Sequence, residues 1–257
     1  MLQRFPNGIG EDGFYQKNVA PYFPRCIKRV TAGKVGGSVT HAVANNAESL
    51  VFLANTGCIT PHMWLSRTPK PMNPDLMAFD LDPSTKDFGV VRDMAAALRD
   101  VLQELGLRSY PMTTGSRGLH VSVPLDQTAD FDAVREFARD VAHGLADAFP
   151  GLVTTAIRKE KRKRKLFIDV MRNGYAQTAV APYALRALPG APVATPLDWE
   201  EVSSSRLGAQ RYNIQNIFRR LQERGDAWQS IWRHPQSLLR SRKILNTWIP
   251  GKEWKAA

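Results

Sequence analysis

The chain has 257 residues, of which 43% are hydrophobic and 23% charged, a composition typical of folded proteins rather than disordered ones. The net charge of +11 favours a polyanionic partner, nucleic acid before membrane, and no apolar run reaches membrane-spanning length. Two cysteines do not support a disulfide framework or a zinc site, and the N-terminus lacks a signal-peptide pattern, so we expect a cytoplasmic, nucleoid-associated protein.

The first half of the chain predicts a mixture of strands and helices. Residues 1–75 combine many Gly, Pro and Asn with short apolar pieces, which indicates loops, short strands and one short helix. The strand LMAFDLD follows and stops at Pro83, and an apolar periodicity ending at Gly106 predicts a helix capped by Asp87. A strand near residues 109–113, the turn TGSRG and the strand LHVSVPL come next.

The second half repeats this alternation. A second amphipathic pattern predicts a helix from Phe131 to Phe149. The sequence RKEKRKRK at residues 158–165, called the basic segment below, carries seven positive charges and one negative. A solvated loop is the ordinary interpretation of such a run, but this one directly precedes the apolar strand LFIDV. A strand around TAVAPY and a helix around residues 214–221 complete an α+β pattern with a mixed or antiparallel sheet and helices on one side.

Three aspartates interrupt the apolar strands. Asp80 and Asp82 point to the same face of their strand, about 6.5–7 Å apart along it, because strand side chains alternate. Asp169 is a single acid within LFIDV. Carboxylates on two strands predict a site for two divalent ions that activate a hydroxyl and stabilise a phosphate leaving group. Capping or surface aspartates at strand ends are the alternative interpretation.

The segment TTGSRGLH, Thr113 to His120, offers backbone N–H groups, hydroxyls and an arginine to phosphate oxygens. A Gly-rich hairpin or a single histidine is by itself a weak signal, and no Walker phosphate loop is present.

The segments FDLDP, TTGSRGLHVSVPL and LFIDVMRNGYAQTAVAPYALR occur in this order, and with GFYQKN and CITPHMWLSR they resemble the polymerase domain of bacterial ligase D. That family is the end-joining branch of the archaeo-eukaryotic primase superfamily. The resemblance implies a primase-polymerase core whose RRM-like mixed or antiparallel sheet is flanked by helices. It also implies addition of ribonucleotides, and less well deoxynucleotides, to DNA 3′ ends in non-homologous end joining. Two manganese or magnesium ions, a primer-template or DNA end, an NTP or dNTP, the Ku protein and a DNA ligase domain are the implied cofactors and partners.

The resemblance also assigns residues one by one. The metal-binding and catalytic acids are Asp80, Asp82 and Asp169. The residues that match nucleotide contacts are His62, Thr114, Ser116, Arg117, His120, Arg172, Thr178 and Arg186. The residues that match DNA contacts are Phe14, Tyr15, Lys17 and Arg25, with the aromatic pair stacking on bases. Here Thr114 replaces the serine, and Arg117 the lysine, that the family usually has.

We predict one domain over residues 1–257, divided into three parts by their expected roles. Residues 1–75 are the part that contacts DNA and nucleotide, residues 76–199 the catalytic core, and residues 200–257 a helical part. By the same resemblance, an N-terminal family segment with lysines for a 5′ phosphate is missing from this sequence, so weak discrimination of a 5′ phosphate is expected.

Two alternative functions remain at this point. The pattern DLDP also begins haloacid-dehalogenase-type phosphatases, in which the first aspartate is a nucleophile, but a convincing second acidic pair is absent from the sequence. A non-catalytic basic DNA-binding module would retain the charge without the chemistry. No ligase K-x-D-G motif is present.

Overall fold

The computed structural model describes residues 1–34 and 36–248. Its helices and strands alternate along most of the chain, as the sequence predicts. The helices are α1 (Ala47–Asn55), α2 (Gly89–Glu104), α3 (Phe131–Ala148), α4 (Trp199–Val202), α5 (Ile217–Arg224) and α6 (Leu238–Trp248). The strands are β1 (Leu2–Arg4), β2 (Phe14–Gln16), β3 (Lys28–Lys34), β4 (Gly37–Val43), β5 (Cys58–Trp64), β6 (Leu76–Asp82), β7 (Tyr110–Thr113), β8 (Leu119–Pro124), β9 (Val153–Thr154), β10 (Leu166–Asp169), β11 (Thr178–Val180) and β12 (Thr195–Pro196).

A six-stranded sheet in the order β12-β7-β8-β6-β10-β9 forms the centre of the molecule. Its pairs are antiparallel except for β10 with β9, which makes the sheet mixed and confirms the α+β prediction. The predicted first long helix begins at Gly89, and Asp87 accepts a hydrogen bond from the Gly89 N–H instead of occupying the capping position itself. Gly106 follows the helix with a φ of +77°, which favours glycine.

The two faces of this sheet have different coverings. Met77, Phe79 and Leu81 of β6 pack with α2 and α3 in the main hydrophobic core, and Phe79 is fully buried. Leu76 and Ala78, on the opposite face, pack in a second cluster with β11 and the segment around Trp228. The end of β6 that carries Asp80 and Asp82 extends beyond this second cluster, and both aspartates are only half-buried.

A second sheet contains strands from both sides of the predicted division at residue 75. Its order is β11-β5-β1-β2, so β11, predicted within the catalytic core, pairs with strands of the N-terminal part. The third sheet is the two-stranded hairpin β3-β4. Beyond residue 200 the described chain forms α5 and α6, where the sequence predicts a single helix. Among the described residues, no helix combines the length and apolarity needed to cross a membrane.

Candidate active site

The register of the central sheet places the three predicted acids on one face, and Asp80, Asp82 and Asp169 are called the acid row below. Asp80 lies opposite Asp169 of β10 on one side and opposite His120 of β8 on the other. Asp82 points to the same face two residues further along β6, because strand side chains alternate. The sequence predicts the shared face of Asp80 and Asp82, and the strand pairing adds Asp169 and His120 to it.

An imidazole and a guanidinium beside Asp80 explain how an apolar strand accommodates this carboxylate. Its Oδ2 lies 3.5 Å from His120 Nε2 and 3.7 Å from Arg172 Nε. Burial alone would raise the pKa of Asp80, but these two neighbours outweigh it and lower the pKa below its usual value. Asp80 is therefore ionised at neutral pH.

Two arginines contact Asp82 from different loops. Arg117 Nη2 lies 3.4 Å from Oδ1, and Arg162 Nη1 lies 3.3 Å from Oδ2. Arg117 extends from the TGSRG turn and is 68% exposed, whereas Arg162 belongs to the basic segment and is 13% exposed. The Arg162 guanidinium lies 3.8 Å from the centre of the Phe167 ring. Phe167 is the residue of β10 directly opposite Asp82, so the two side chains share one face of the sheet.

Asp169 has a different environment. Its Oδ1 accepts a hydrogen bond of 2.8 Å from the Met171 N–H, and no arginine, lysine or histidine of the described chain lies within ion-pair distance of it. Burial raises the pKa of Asp169 above its usual value, and the negative charge of Asp80 adds to the increase. The row thus contains one carboxylate whose ionised form is stabilised and one whose ionised form is disfavoured by burial, which the charges of Arg172 and Arg162 offset only in part.

The chemistry of these donors fits divalent metal ions. Carboxylate oxygens are the ligands that manganese and magnesium prefer, and a cation would neutralise the adjacent negative charges of Asp169 and Asp80. As the side chains stand, the described residues contain no group of three His, Cys, Asp or Glu side chains close enough to hold an ion together. The two-ion site therefore remains a prediction.

The TGSRG turn is organised by Thr114. Its hydroxyl oxygen lies 3.3 Å from the Ser116 N–H and 3.2 Å from the Gly118 N–H, and it is 3.1 Å from the Gly118 carbonyl. Thr114 is buried, so this predicted nucleotide contact shapes the turn from inside, while Ser116 and Arg117 lie at its surface. A Cβ at Gly118 would lie 2.2 Å from the Leu81 carbonyl, which requires glycine where the turn crosses the acid-bearing strand.

Arg186 and His62 extend the site towards the second sheet. A Cβ at Gly115 would lie 2.8 Å from Arg186 Cγ, which shows how closely the turn packs on this arginine. His62 of β5 has a pKa lowered to about 4 by burial and by the charges of Arg186 and Arg172. Its ring centre lies 6.2 Å from that of Tyr15, and its Nδ1 lacks a hydrogen-bond partner among the described residues. At neutral pH this histidine is neutral and free to accept or donate one hydrogen bond.

Arg172 is held beside Asp80 by its neighbour Asn173. The Asn173 side chain accepts from the Ala78 N–H and donates to the Ala78 carbonyl, at 2.8 and 2.7 Å, and thereby continues the pairing along β6 where β10 ends. Arg172 Nη1 donates to the Thr178 carbonyl at 3.5 Å. Thr178 thus contributes its backbone to the site wall.

The predicted DNA contacts are spread more widely. Phe14 and Tyr15 are 46% and 60% exposed and, as neighbours on β2, point to opposite faces. Tyr15 lies near His62, whereas Arg4 lies over the Phe14 ring, and the stacking of the pair on bases stays a prediction. Lys17 and Arg25 are exposed and, within the described chain, form no ion pair with the acid row.

Three residues of the site were not singled out from the sequence. Arg162 is one of several similar charges in the basic segment, and Asn173 is one polar residue within the motif around Asp169, so the sequence alone does not distinguish either. Gln210 donates to the Ser116 carbonyl at 3.0 Å from nearly a hundred residues away, and no local pattern indicates such a contact.

Comparison with known proteins agrees with this geometry. Residues 1–228 match the family described as LigD, primase-polymerase domain. The multifunctional non-homologous end joining protein LigD of Mycolicibacterium smegmatis is 33% identical over 230 residues, which cover 87% of this chain and 30% of that protein. The bifunctional LigD of Bacillus subtilis is 30% identical, over 91% of this chain and 38% of its own length. The chain thus spans about a third of the length of these curated relatives.

A solved structure shares the fold over most of its length. The polymerase domain of Mycobacterium tuberculosis ligase D, determined in complex with DNA, superposes with a TM-score of 0.85 at 28% identity, covering 91% of this chain and 84% of that one. Fold and site together define a polymerase-type nucleotidyltransferase domain. The chain belongs to the LigD primase-polymerase domain family. The antiparallel neighbours of β6 and this membership do not favour the haloacid-dehalogenase-type phosphatase.

Proposed function

We propose that this chain is a metal-dependent nucleotidyltransferase that adds ribonucleotides, or deoxynucleotides, to DNA 3′ ends during repair of double-strand breaks by non-homologous end joining. The observation that carries this proposal is the row formed by Asp169, Asp80 and His120 across three neighbouring strands. A turn with an exposed arginine lies directly beside that row, so carboxylates for cations and a donor for a triphosphate are adjacent.

The acids supply the metal ligands in this proposal. Asp80, Asp82 and Asp169 would hold two manganese or magnesium ions, which polarise the primer 3′ hydroxyl and stabilise charge on the α-phosphate and the leaving pyrophosphate. The Asp169 carboxylate must be ionised for this role, and its raised pKa predicts that metal binding weakens on acidification earlier than for an ordinary carboxylate.

The remaining residues bind and orient the triphosphate. Arg117, Arg172 and Arg186 supply positive charge from three separate segments, and Ser116 adds a hydroxyl at the tip of the turn. His62 stays neutral because of its low pKa, so it offers a hydrogen bond without a further charge. Catalysis then rests on positioning and charge stabilisation rather than on a covalent protein intermediate.

The names of the similar proteins support the proposed substrate and protein partners of this chain. A primer-template or broken DNA end is the proposed substrate, supported by the DNA complex of the mycobacterial polymerase domain and by the net charge of +11 of this chain. The relatives are named as multifunctional or bifunctional end-joining proteins, which supports a DNA ligase domain as a partner, in the same chain or a separate one. The end-binding Ku protein is proposed on the same basis.

A primer-extension assay tests the proposal. A labelled 3′ primer on a template is incubated with ATP or dATP and with manganese or magnesium, and extension and phosphate release are followed in parallel. Extension that requires the metal supports the nucleotidyltransferase. Phosphate release without extension would indicate a phosphatase, and DNA binding without either reaction would indicate a non-catalytic module; both outcomes would refute the proposal.

A further inference from the structure

Gln210 contacts the TGSRG turn from a distant part of the chain. Its Nε2 donates to the Ser116 carbonyl at 3.0 Å. This carbonyl belongs to the same trans peptide unit as the Arg117 N–H, and the two groups of a planar trans peptide point in opposite directions. A donor that holds the Ser116 carbonyl on one side therefore directs the Arg117 N–H to the other side.

The Arg117 N–H is an unused donor of the turn. The N–H groups of Ser116 and Gly118 both donate to the Thr114 hydroxyl oxygen, at 3.3 and 3.2 Å. Within the described chain the Arg117 N–H has no hydrogen-bond partner, and its own guanidinium is 68% exposed beside Asp82. An unpaired backbone N–H and a guanidinium on one residue are suited to bind neighbouring oxygens of one phosphate group.

The segment that carries Gln210 is anchored in the protein by a buried ion pair. The Tyr212 hydroxyl donates to Glu201 Oε1 at 2.7 Å. Glu201 Oε2 lies 2.6 Å from Arg220 Nη2, and the two side chains are only 5% and 4% exposed. The backbone beside Gln210 is therefore held in one place by contacts that do not involve the turn.

The turn and the Gln210 segment also pack on the same piece of chain. The Val193 N–H donates to the Tyr212 carbonyl at 2.9 Å. A Cβ at Gly115 would lie 2.9 Å from the Val193 carbonyl carbon, so the turn lies directly against this residue. Gln210 thus reaches the Ser116 carbonyl across a short, shared support.

We propose that Gln210 is a positioning residue for the incoming triphosphate: it holds the Ser116 carbonyl and thereby directs the Arg117 N–H towards a phosphate oxygen. This inference rests on the proposed function, because it takes the turn as the triphosphate site. Gln210 acts through the backbone of the turn and does not need to touch the nucleotide. It is exposed, so its substitution should leave the core intact.

The test is single-nucleotide primer extension at varied ATP concentration by the full chain and by Gln210→Met, which keeps the side-chain length but removes the donor. We expect the variant to raise the apparent KM for ATP about two- to tenfold, the range for one neutral hydrogen bond, with kcat within about twofold of the parent. Gln215→Met is the matched control. Gln215 is an exposed glutamine of the same segment whose side chain forms no hydrogen bond within the described chain, and its substitution should leave both constants unchanged.

The backbone amide of Arg117 gives a readout that a merely structural role would not move. In ¹⁵N-labelled parent protein its resonance should shift when ATP and Mg²⁺ are added, and in Gln210→Met it should shift less at the same occupancy. A general structural role would instead lower the melting temperature and kcat together and leave KM at the parent value. A KM equal to that of the parent in the folded variant, or an Arg117 amide that does not respond to ATP, would overturn the inference.

A second variant covers a folding defect. If thermal unfolding shows that Gln210→Met is not folded, Gln210→Glu carries the test, because a carboxylate cannot donate to the Ser116 carbonyl. It should raise the KM for ATP at least as much, and a parent-like KM would overturn the inference in the same way.

Equilibrium binding separates this inference from the proposed function. Isothermal titration calorimetry with ATP and Mg²⁺ needs no turnover. If the parent binds ATP but does not extend a primer, the proposed function fails, and weaker ATP binding by Gln210→Met would still support the positioning role. Extension by the parent with an unchanged KM in Gln210→Met refutes the positioning role alone. A parent protein that neither extends a primer nor binds ATP refutes both.

Discussion

The two faces of strand β6 have different neighbours: one packs against apolar side chains, and the other contacts polar and charged side chains. On one face Met77, Phe79 and Leu81 are buried against α2 and α3, where shape and apolar area determine the packing. On the other face Asp80 and Asp82 are half-buried against histidine and arginine side chains, where charge determines the arrangement. Adjacent side chains therefore have different roles. The face packed on α2 and α3, called the helix face below, stabilises the strand, and the face with Asp80 and Asp82, called the acid face below, carries the charges of the site.

This difference has a practical consequence. Substitutions on the helix face should change the free energy of unfolding and leave the reaction of the folded molecules intact. Substitutions on the acid face should change binding and catalysis, and their effects on stability should follow the charge of each neighbour instead of the buried area. The predictions below test this separation, beginning with the largest expected effect.

Phe79→Ala should lower the free energy of unfolding by about 3–5 kcal/mol, because it removes a large, fully buried side chain from the main core. Denaturant unfolding measures this change, and extension per folded molecule should stay near the parent rate. Phe218→Ala is the control, as Phe218 is 68% exposed and its loss should be almost neutral. A comparable loss of stability in both variants would argue against the assigned core.

Arg117→Ala should raise the apparent KM for the nucleotide about ten- to a hundredfold, as one charge-assisted hydrogen bond contributes roughly 1.5–3 kcal/mol. DNA affinity should change much less, since Arg117 extends from the turn beside Asp82. Steady-state extension at varied ATP, together with DNA binding by anisotropy, separates the two effects. An unchanged nucleotide dependence would make the turn purely structural.

Asp80→Asn and Asp169→Asn should shift stability in opposite directions when divalent ions are removed by chelation. The folded pKa of Asp80 is lowered, so its contribution is present above the usual carboxyl pKa and lost as the pH falls through the folded value. The Asp80 variant should therefore melt below the parent at neutral pH. The folded pKa of Asp169 is raised, so its ionised form costs stability at neutral pH, and the Asp169 variant should melt above the parent.

Both differences should disappear in acid, where the carboxyl groups are protonated in the folded and unfolded protein alike. Thermal unfolding at several pH values measures them. Equal shifts of the same sign for the two variants would contradict the assigned environments of the row.

The smallest expected effect on stability concerns the turn of the basic segment. Lys163 and Arg164 have φ angles of +46° and +64°, and the Lys165 N–H donates to the Arg162 carbonyl at 2.9 Å. This is a turn of the kind that favours Asn-Gly, so the double variant Lys163→Asn, Arg164→Gly should be more stable by about 0.5–1 kcal/mol.

The same double variant should bind DNA more weakly, because two exposed charges are lost. Each lost phosphate contact should reduce the log–log salt slope by about 0.9 on duplex DNA. Binding titrations at several salt concentrations measure the slope. An unchanged slope would mean that these two charges lie outside the DNA contact.

The sequence predicts the central elements because they have strong periodicities. The alternation in LMAFDLD places Asp80 and Asp82 on one face, and the structure confirms both long helices within a few residues. The periodicity of a strand does not predict which strands pair with it. Opposite neighbours depend on strand register, so the placement of Asp169 beside Asp80 and the pairing of β11 with β5 appear only in three dimensions.

The site residues show the same limit. Among seven similar charges, only the fold singles out Arg162, and Gln210 reaches the turn from a distant segment. The motif TTGSRG predicts a phosphate-binding turn by resemblance, but it does not show that the Thr114 hydroxyl is used inside the turn. The alternation on β2 places the rings of Phe14 and Tyr15 on opposite faces, and the stacking of this pair on bases stays a prediction.

The central claim is that the acid row performs metal-dependent nucleotide addition. The most direct measurement compares single-nucleotide extension of a labelled primer by the parent protein and by Asp80→Ala, Asp82→Ala and Asp169→Ala, each shown to be folded by thermal unfolding and to bind the primer-template. We predict extension by the parent with Mn²⁺, none in chelator, and none by any of the three variants, with DNA affinity largely retained. Extension near the parent rate by a folded variant would remove that aspartate from the site, and extension by all three would contradict the account.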